Sequence, residues 1–413
     1  MTAEHSAKQG ANGKAAEVTV DALTEACGDH SECGAVVMDA ELEPVAGPGS
    51  PVNPAIYAGA RYQRDKRWER SDSASPTAVI VIDNVPSQAN RLEAALAITA
   101  EMTGLPRLEL CLDVDDLGHL PPHLPRRLSS LSWPHRNADG YLRDALRDGK
   151  QFTATPLGKS LIDATASSAA ALVSWFPQAL LLGFWQSHLG KKRSQAKHAR
   201  AWVSEIVGWD PAPGEADHVR TFGVKGDPIN IGDVGKVESR SDDLLDGWSV
   251  DSAKRAAERD KMSSIGHGQV PFKAGEEALA PVSFRRITQR ATLSFPQLRR
   301  ITLGDGFTSD QNAAARALIA AVGLHAHQTA FSRPFALRSG TDLTAVRSST
   351  CVDSEPVALG ETVRLVADAL EAAQQVGVPT DGWGQEPVLL TPNASLIAAI
   401  VATWPPLEAA DAS

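Results

Sequence analysis

Residues 180–210 constrain the fold most, because they place a strongly basic segment between two apolar ones. The apolar run 180–185 predicts a buried strand, and apolar and aromatic residues return at 202–209. Between the two apolar segments lie five cationic residues and no acidic ones: Lys191, Lys192, Arg193, Lys197 and Arg200. This order of segments predicts a groove with fixed apolar walls and a solvated basic rim. Such a groove suits a polyanion. It fits equally well a charged surface loop between two core strands.

The composition indicates a globular protein. The chain has 413 residues, of which 43% are hydrophobic, 5% aromatic and 22% charged. This length predicts two or three subdomains around a sizeable core. No apolar run approaches the roughly 20 residues of a membrane span, and no signal peptide is recognisable, so we expect a cytoplasmic protein. Four scattered cysteines are too few for a disulfide framework.

The charge is unevenly distributed along the chain, which has a net charge of −10. Residues 1–50 contain nine acidic and two basic residues, and residues 351–413 contain nine acidic residues and one basic residue. Residues 51–350 contain 32 acidic and 37 basic residues, and a second acid-free basic cluster lies at 281–300. We therefore predict three regions: an acidic, partly disordered extension (1–50), a basic central domain (51–350) and an acidic helical segment (351–413).

A strand followed by a helix is the clearest local prediction. Residues 77–83 (TAVIVID) are apolar and β-branched, and Ser87 stands where a helix N-cap belongs. Gln88, Asn90 and Arg91 would occupy the first helical turn, where free N–H groups favour an anion. We predict that these three residues contact a phosphate or ribose. The alternative is a polar helix start in which Arg91 pairs with a carboxylate.

No motif in the chain demands catalysis. The chain has no phosphate-binding P-loop, no H-E-x-x-H, no G-x-S-x-G and no G-x-G-x-x-G after a strand. Cys27, His30 and Cys33 form a C-x-x-H-x-x-C cluster, but a structural zinc site needs a fourth ligand. We therefore expect neither a metal nor a cofactor.

Several blocks, in order along the chain, carry a family resemblance. They are VIVIDNVPSQANRLEAAL (79–96), LSWPHRNADGYLRD (131–144), LLLGFWQSH with KHARAWVSEIVGWD (180–210), and FALRSGTDL (335–343). Together they resemble the CRISPR-associated backbone subunit of type I-G (formerly I-U) Cascade surveillance complexes, within the RAMP superfamily. The resemblance covers residues 77–343 and leaves both ends of the chain outside it.

The resemblance implies an α+β fold: an RRM-like (ferredoxin-like) palm with inserted finger and thumb elements. It implies that copies of the chain stack head to tail along one CRISPR RNA, together with other Cascade subunits. The guide RNA would pair with target DNA while the protein grips the backbone. Type I backbone subunits are not nucleases, so the resemblance implies binding without catalysis.

On this interpretation, the five cationic residues at 191–200 are the main phosphate contacts, and Gln88, Asn90 and Arg91 lie beside the guide. Weaker candidates, any of which could be a buried structural arginine, are Arg136, Arg220, Arg333 and Arg338. We expect Glu205 to form an internal ion pair. Two alternatives remain open: a metal-dependent ribonuclease using Asp83, His135 and Asp139, and a scaffold that binds only protein.

Overall fold

The computed structural model describes residues 15–58, 61–187, 196–213, 219–220, 236–239, 247–251, 267 and 278–404. Helices and strands are both abundant, which confirms the predicted α+β class. Nine strands form the main sheet: β1 Ala16–Glu17, β2 Ala35–Pro44, β3 Arg64–Arg67, β4 Thr77–Asp83, β5 Trp202–Pro211, β6 Phe284–Ser294, β7 Phe335–Arg338, β8 Thr341–Val352 and β9 Glu355–Ala358.

The helices follow the same chain order. They are α1 Val20–Ala26, α2 Val85–Thr103, α3 Gly140–Arg143, α4 Pro156–Asp163, α5 Ala170–Trp175, α6 Pro177–Leu182, α7 Phe295–Leu298, α8 Ser309–Phe331, α9 Thr362–Gln375 and α10 Ala394–Thr403. Short 3-10 helices occur at Asp115–Leu117, Arg136–Ala138 and Phe152–Ala154. No helix in the described parts of the chain is long and apolar enough to cross a bilayer.

The centre of the main sheet has the ferredoxin-like strand order. Its strands run β8–β2–β6–β5, and every neighbouring pair is antiparallel. Of these four strands, β2 comes first along the chain, and it lies between β6, which comes third, and β8, which comes fourth. Helices α2 and α8 occur in the two crossover connections. The sheet continues beyond β5 through β4 and β3, and beyond β8 through β9 and β1. Long insertions lie between α2 and β5 and between β5 and β6.

A small second sheet belongs to the first insertion and the C-terminal region. In spatial order its strands are Lys150–Gln151, Ala145–Arg147, Val388–Pro392, Leu108–Cys111 and Arg127–Ser129. Four two-stranded ladders complete the described strands: Ile56–Tyr57 with Arg61–Tyr62, Phe184–Trp185 with Lys197–His198, Val219–Arg220 with Ala278–Leu279, and Lys236–Ser239 with Trp248–Asp251.

Helix α8 forms the centre of the main core. Its N-terminus carries a capping box in which Thr308 and Gln311 satisfy each other's backbone N–H groups, so the cap is Thr308 and not Ser309. Every residue from 312 to 326 is buried, because α1, α2, α6 and α9 all pack against it. A helix surrounded on all sides is apolar all round, and its alanines let the neighbouring helices approach closely.

Two local predictions are wrong for physical reasons. The apolar run 180–185 is mostly the end of α6, and only Phe184–Trp185 is strand. Because residues 180–184 are all buried, their hydrophobicity has no period that separates helix from strand. Ser87 is not the N-cap of α2; Asn84 fills that position and accepts from the Ser87 N–H at 3.1 Å.

The predicted boundaries at residues 50 and 351 do not follow the architecture. Strand β2 lies within the supposed N-terminal extension, yet it pairs with both β6 and β8 in the middle of the sheet. Strand β8 runs through residue 351, and α9 beyond it packs against α8. The acidic composition of the two ends therefore does not mark separate domains. Residues 1–14 and 405–413 lie outside the described chain.

Two histidines of α8 predict acid sensitivity. His325 is buried, and His327 is partly exposed with its Nδ1 shielded from solvent. Burial lowers the pKa of His327 from 6.5 to about 4, and it also lowers the pKa of His325. The unfolded chain therefore binds more protons in this window, so the free energy of unfolding should fall as the pH drops from 6.5 to 4. His327 alone should account for up to about 3 kcal/mol of that fall.

Chemical denaturation at several pH values checks this expectation. A His327→Phe variant should lose much less stability between pH 6.5 and pH 4 than the wild type. An unchanged profile for His327→Phe would show that another group causes the acid sensitivity.

Candidate nucleic-acid interface

A fully buried carboxylate, Asp83, ends strand β4 beside the start of α2. It accepts hydrogen bonds from Ser87 Oγ at 2.8 Å, Gln88 Nε2 at 2.6 Å, Arg91 Nε at 2.9 Å and Arg338 Nη2 at 2.8 Å. Burial by itself would raise the pKa of Asp83, but the hydrogen bonds from Arg91, Gln88 and Ser87 outweigh it and lower that pKa. The carboxylate is therefore ionised and fully partnered.

The residues around Asp83 hold the fold together at this corner. Arg338 also donates to the carbonyls of Asn53 and Ile82, and Arg91 donates to the carbonyls of Ala336 and Leu337. Two arginines thus tie β4 and α2 to β7. The alternative in which Arg91 pairs with a carboxylate is the one that the structure shows.

Gln88 and Asn90 differ in their access to solvent. Gln88 is fully buried, and its side-chain oxygen accepts from Ser204 Oγ at 2.9 Å and from Gln289 Nε2 at 2.8 Å. It therefore links α2 to β5 and β6 and has no surface for RNA, which corrects the prediction made for it. Asn90 is exposed on the same helix, so an RNA contact there stays a prediction.

The predicted basic groove begins at a short hairpin stem, which we define as Phe184–Trp185 paired with Lys197–His198. The inner residues of the stem are fixed. Phe184 is buried, and the His198 ring is buried with its Nε2 bonded to the Leu180 carbonyl at 2.9 Å. Gly183 precedes the stem with a φ of 80°, and a Cβ there would lie 2.9 Å from the His198 carbonyl oxygen. The stem therefore requires glycine at this position.

Arg136 anchors the stem to helix α2. Its Nε and Nη2 bond the two Glu93 carboxylate oxygens at 2.7 and 2.9 Å, and its Nη1 bonds the Gly183 carbonyl at 3.0 Å. Both side chains are about nine-tenths buried. Arg136 also has a φ of 55°, which a non-glycine residue adopts only where its surroundings enforce it. Arg136 is thus a structural arginine and is not available to RNA, which corrects its prediction as a contact.

Arg200, directly after the stem, carries a charge that is only partly compensated. Its side chain is half-buried, and its Nε has no hydrogen-bond partner within the described structure. Burial lowers the pKa of Arg200, and the positive charge of Arg136 lowers it further, while Glu93 partly offsets both effects. Two guanidinium groups therefore share the field of one buried carboxylate. An anion beside Arg200 would relieve this imbalance.

Lys197 and Trp185 form the outer surface of the stem. The Trp185 side chain is 55% exposed, and the Lys197 Nζ lies 4.3 Å from the centre of a Trp185 ring. This is a cation–π contact at the protein surface. The charge of Lys197 identifies it from the sequence, but Trp185 is not identified, because the apolar run 180–185 predicts a buried strand. The signal available in the sequence was the adjacent pair Phe184 and Trp185, because two neighbouring side chains in a strand point to opposite faces.

Two arginines of the other basic cluster, Arg286 and Arg290, lie on the sheet face and are paired with carboxylates. The face of the main sheet opposite the helices has a shallow cleft whose arginines are paired: Arg67 with Glu205, Arg286 with Glu69, Arg290 with Asp39 and Arg347 with Glu41. The Arg67–Glu205 pair confirms that Glu205 is an ion-pair partner. Because each arginine already has a carboxylate, this face offers a polyanion little net attraction.

The remaining predicted residues are less informative. Arg333 is exposed just after α8. The backbone of Arg220 pairs with Ala278 in a two-residue ladder. Lys191, Lys192 and Arg193 lie outside the described residues, so their assignment as phosphate contacts stays a prediction.

The three proposed ligands of the ribonuclease alternative have other partners. Asp83 is held by two arginines, and Asp139 caps α3 by accepting from the Tyr141 N–H while its other oxygen accepts from the His135 N–H. Within the described ranges, no group of three or more His, Cys, Asp or Glu side chains is placed to hold a metal ion. This arrangement does not favour the ribonuclease alternative.

Comparison with known families gives one match. Residues 36–213 match the family model of the CRISPR-associated protein GSU0053. The matched segment starts in β2 and ends just after β5, so it includes α2, Arg136, the hairpin stem and Arg200. The match supports the resemblance at the level of a CRISPR-associated protein. No curated protein matches the chain.

The structural role of Arg136 is testable. Arg136→Met should lower the free energy of unfolding by about 3–5 kcal/mol, because it leaves Glu93 buried without its partner. The double variant Arg136→Met/Glu93→Leu should recover part of this loss, since no unpaired charge remains. Thermal and chemical denaturation would measure both. If Arg136→Met weakens RNA binding without changing stability, Arg136 is an RNA contact instead.

Proposed function

We propose that the chain is a non-catalytic CRISPR RNA-binding backbone subunit of a type I-G Cascade complex. The observation that carries this proposal is the cationic surface at the hairpin stem, where no carboxylate of the described residues forms an ion pair with Lys197 or Arg200. The matched family supports a CRISPR-associated role, and the stem lies inside the matched segment. A surplus of positive charge at the protein surface suits the backbone of single-stranded RNA.

The proposed contacts are phosphates, and sequence would be read by the guide itself. The protein would grip the RNA backbone at Lys197 and Arg200 and, in the basic segment before them, at Lys191, Lys192 and Arg193. Target DNA would then be recognised by base pairing to the bound guide RNA. Asn90 and Arg333 are exposed and remain secondary candidates.

Assembly along the RNA is part of the proposal. Copies of the chain would bind head to tail, with other Cascade subunits at the ends of the filament. A repeated head-to-tail contact needs two different, complementary surfaces. The acidic ends of the chain and its basic centre are a source of such complementarity. The proposed role needs no catalytic group, which is consistent with the engagement of Asp83 and Asp139 in structural hydrogen bonds.

A salt titration tests the binding proposal. Purified protein would be titrated with labelled single-stranded RNA over a range of salt concentrations without divalent metal. The logarithm of affinity should fall with the logarithm of salt by about 0.7 for each phosphate that is neutralised. Replacing Lys197 and Arg200 with Gln should reduce this slope by about 1.4, and replacing all five cations at 191–200 should reduce it by up to about 3.5.

The sheet cleft supplies a matched control. Arg290→Gln/Arg347→Gln removes two exposed cations that are each paired with a carboxylate, so the salt slope should stay the same. A reduced slope in this control would move the groove to the sheet face. An absence of binding at low salt would favour the scaffold alternative, and RNA cleavage that requires a divalent metal would favour the ribonuclease.

A further inference from the structure

We propose that Trp185 stacks against a base of the bound RNA and makes the hairpin stem a nucleotide-binding platform. This inference rests on the proposed RNA-binding function and assigns a role that the backbone contacts leave open. Phosphate contacts alone hold the strand but do not fix the position of any base. An aromatic side chain beside the cations would fix the position of one base, because every base has a face that stacks.

The position of Trp185 is not explained by the core of the protein. In a strand, successive side chains point to opposite faces, and here Phe184 takes the buried side while Trp185 takes the exposed one. An indole that is 55% exposed contributes little to folding, because most of its apolar area remains in water.

The platform beneath Trp185 is rigid. Arg136 holds the preceding carbonyl of Gly183, the Gln186 N–H donates to the Ala196 carbonyl at 2.9 Å, and the buried His198 ring bonds the Leu180 carbonyl. A ring on a fixed backbone loses little conformational freedom when a base stacks on it. Binding to such a preorganised surface is favoured for that reason.

The charges around Trp185 favour RNA over a protein partner. The Lys197 Nζ lies 4.3 Å from the centre of the indole, so a cation adjoins the exposed ring, and Arg200 follows shortly afterwards in the chain. Stacked bases and their phosphates present this combination of a flat apolar face and a negative charge. Trp209 on the sheet face has an arginine nearby as well, but that residue, Arg286, is already paired with Glu69.

RNA that lacks all of its bases separates stacking from phosphate binding. Trp185→Ala should weaken binding of normal single-stranded RNA by about 5-fold to 150-fold, which corresponds to one stacked base. The same variant should bind fully abasic RNA as well as the wild type does. Lys197→Gln/Arg200→Gln should weaken binding of both RNAs. Trp185→Phe should retain most of the affinity, because a smaller ring still stacks.

Two controls make the result decisive. Trp68 is 56% exposed and lines the sheet cleft, so Trp68→Ala should leave RNA affinity unchanged. Quenching of tryptophan fluorescence on RNA binding should be smaller in Trp185→Phe than in Trp68→Phe. If the wild type binds RNA and Trp185→Ala binds it equally well, the stacking role is overturned while the proposed function stands. If the wild type binds no RNA, the proposed function fails first. If Trp185→Ala instead disrupts self-association with RNA affinity intact, the residue is a protein contact.

Discussion

The ionic network around Asp83 holds together the corner of the fold on which the candidate site depends. A fully buried carboxylate is unfavourable unless it is paired and hydrogen-bonded, and Asp83 has two arginines and two neutral donors. Those donors come from α2 and from the end of β7, so satisfying one charge fixes both elements to the sheet. Through Gln88 the same network extends to Ser204 and Gln289 on β5 and β6.

Helix α2 connects this network to the hairpin stem. Its Glu93 pairs with Arg136, and Arg136 holds the carbonyl at which the stem begins. The position of Trp185 and Lys197 at the surface therefore depends on a second buried ion pair. Arg200 differs from Arg91, Arg136 and Arg338 because no carboxylate of the described residues forms an ion pair with it, and this difference separates a proposed ligand contact from these structural contacts. The sheet face carries more arginines but less unbalanced charge.

Much of the fold was predictable because it follows from local patterns. The strand at residues 77–83 has the predicted bounds, and the predicted helix follows it as α2. The candidate site was less predictable. The sequence identified a basic segment but could not distinguish Arg136, Arg91 and Arg338, which are held by buried carboxylates, from Arg200, because an ion pair joins residues that are distant along the chain.

The α+β class was implied by the family resemblance. By itself, the local sequence determined the strand–helix unit that begins at residue 77 and the basic character of residues 191–200. These properties depend on neighbouring residues and on composition, which the chain carries locally. Only the tertiary structure decided that β2 lies in the middle of the sheet, that Gln88 is buried and that Trp185 is exposed. Each of these outcomes depends on which distant segments pack together, and burial and pairing are properties of that packing.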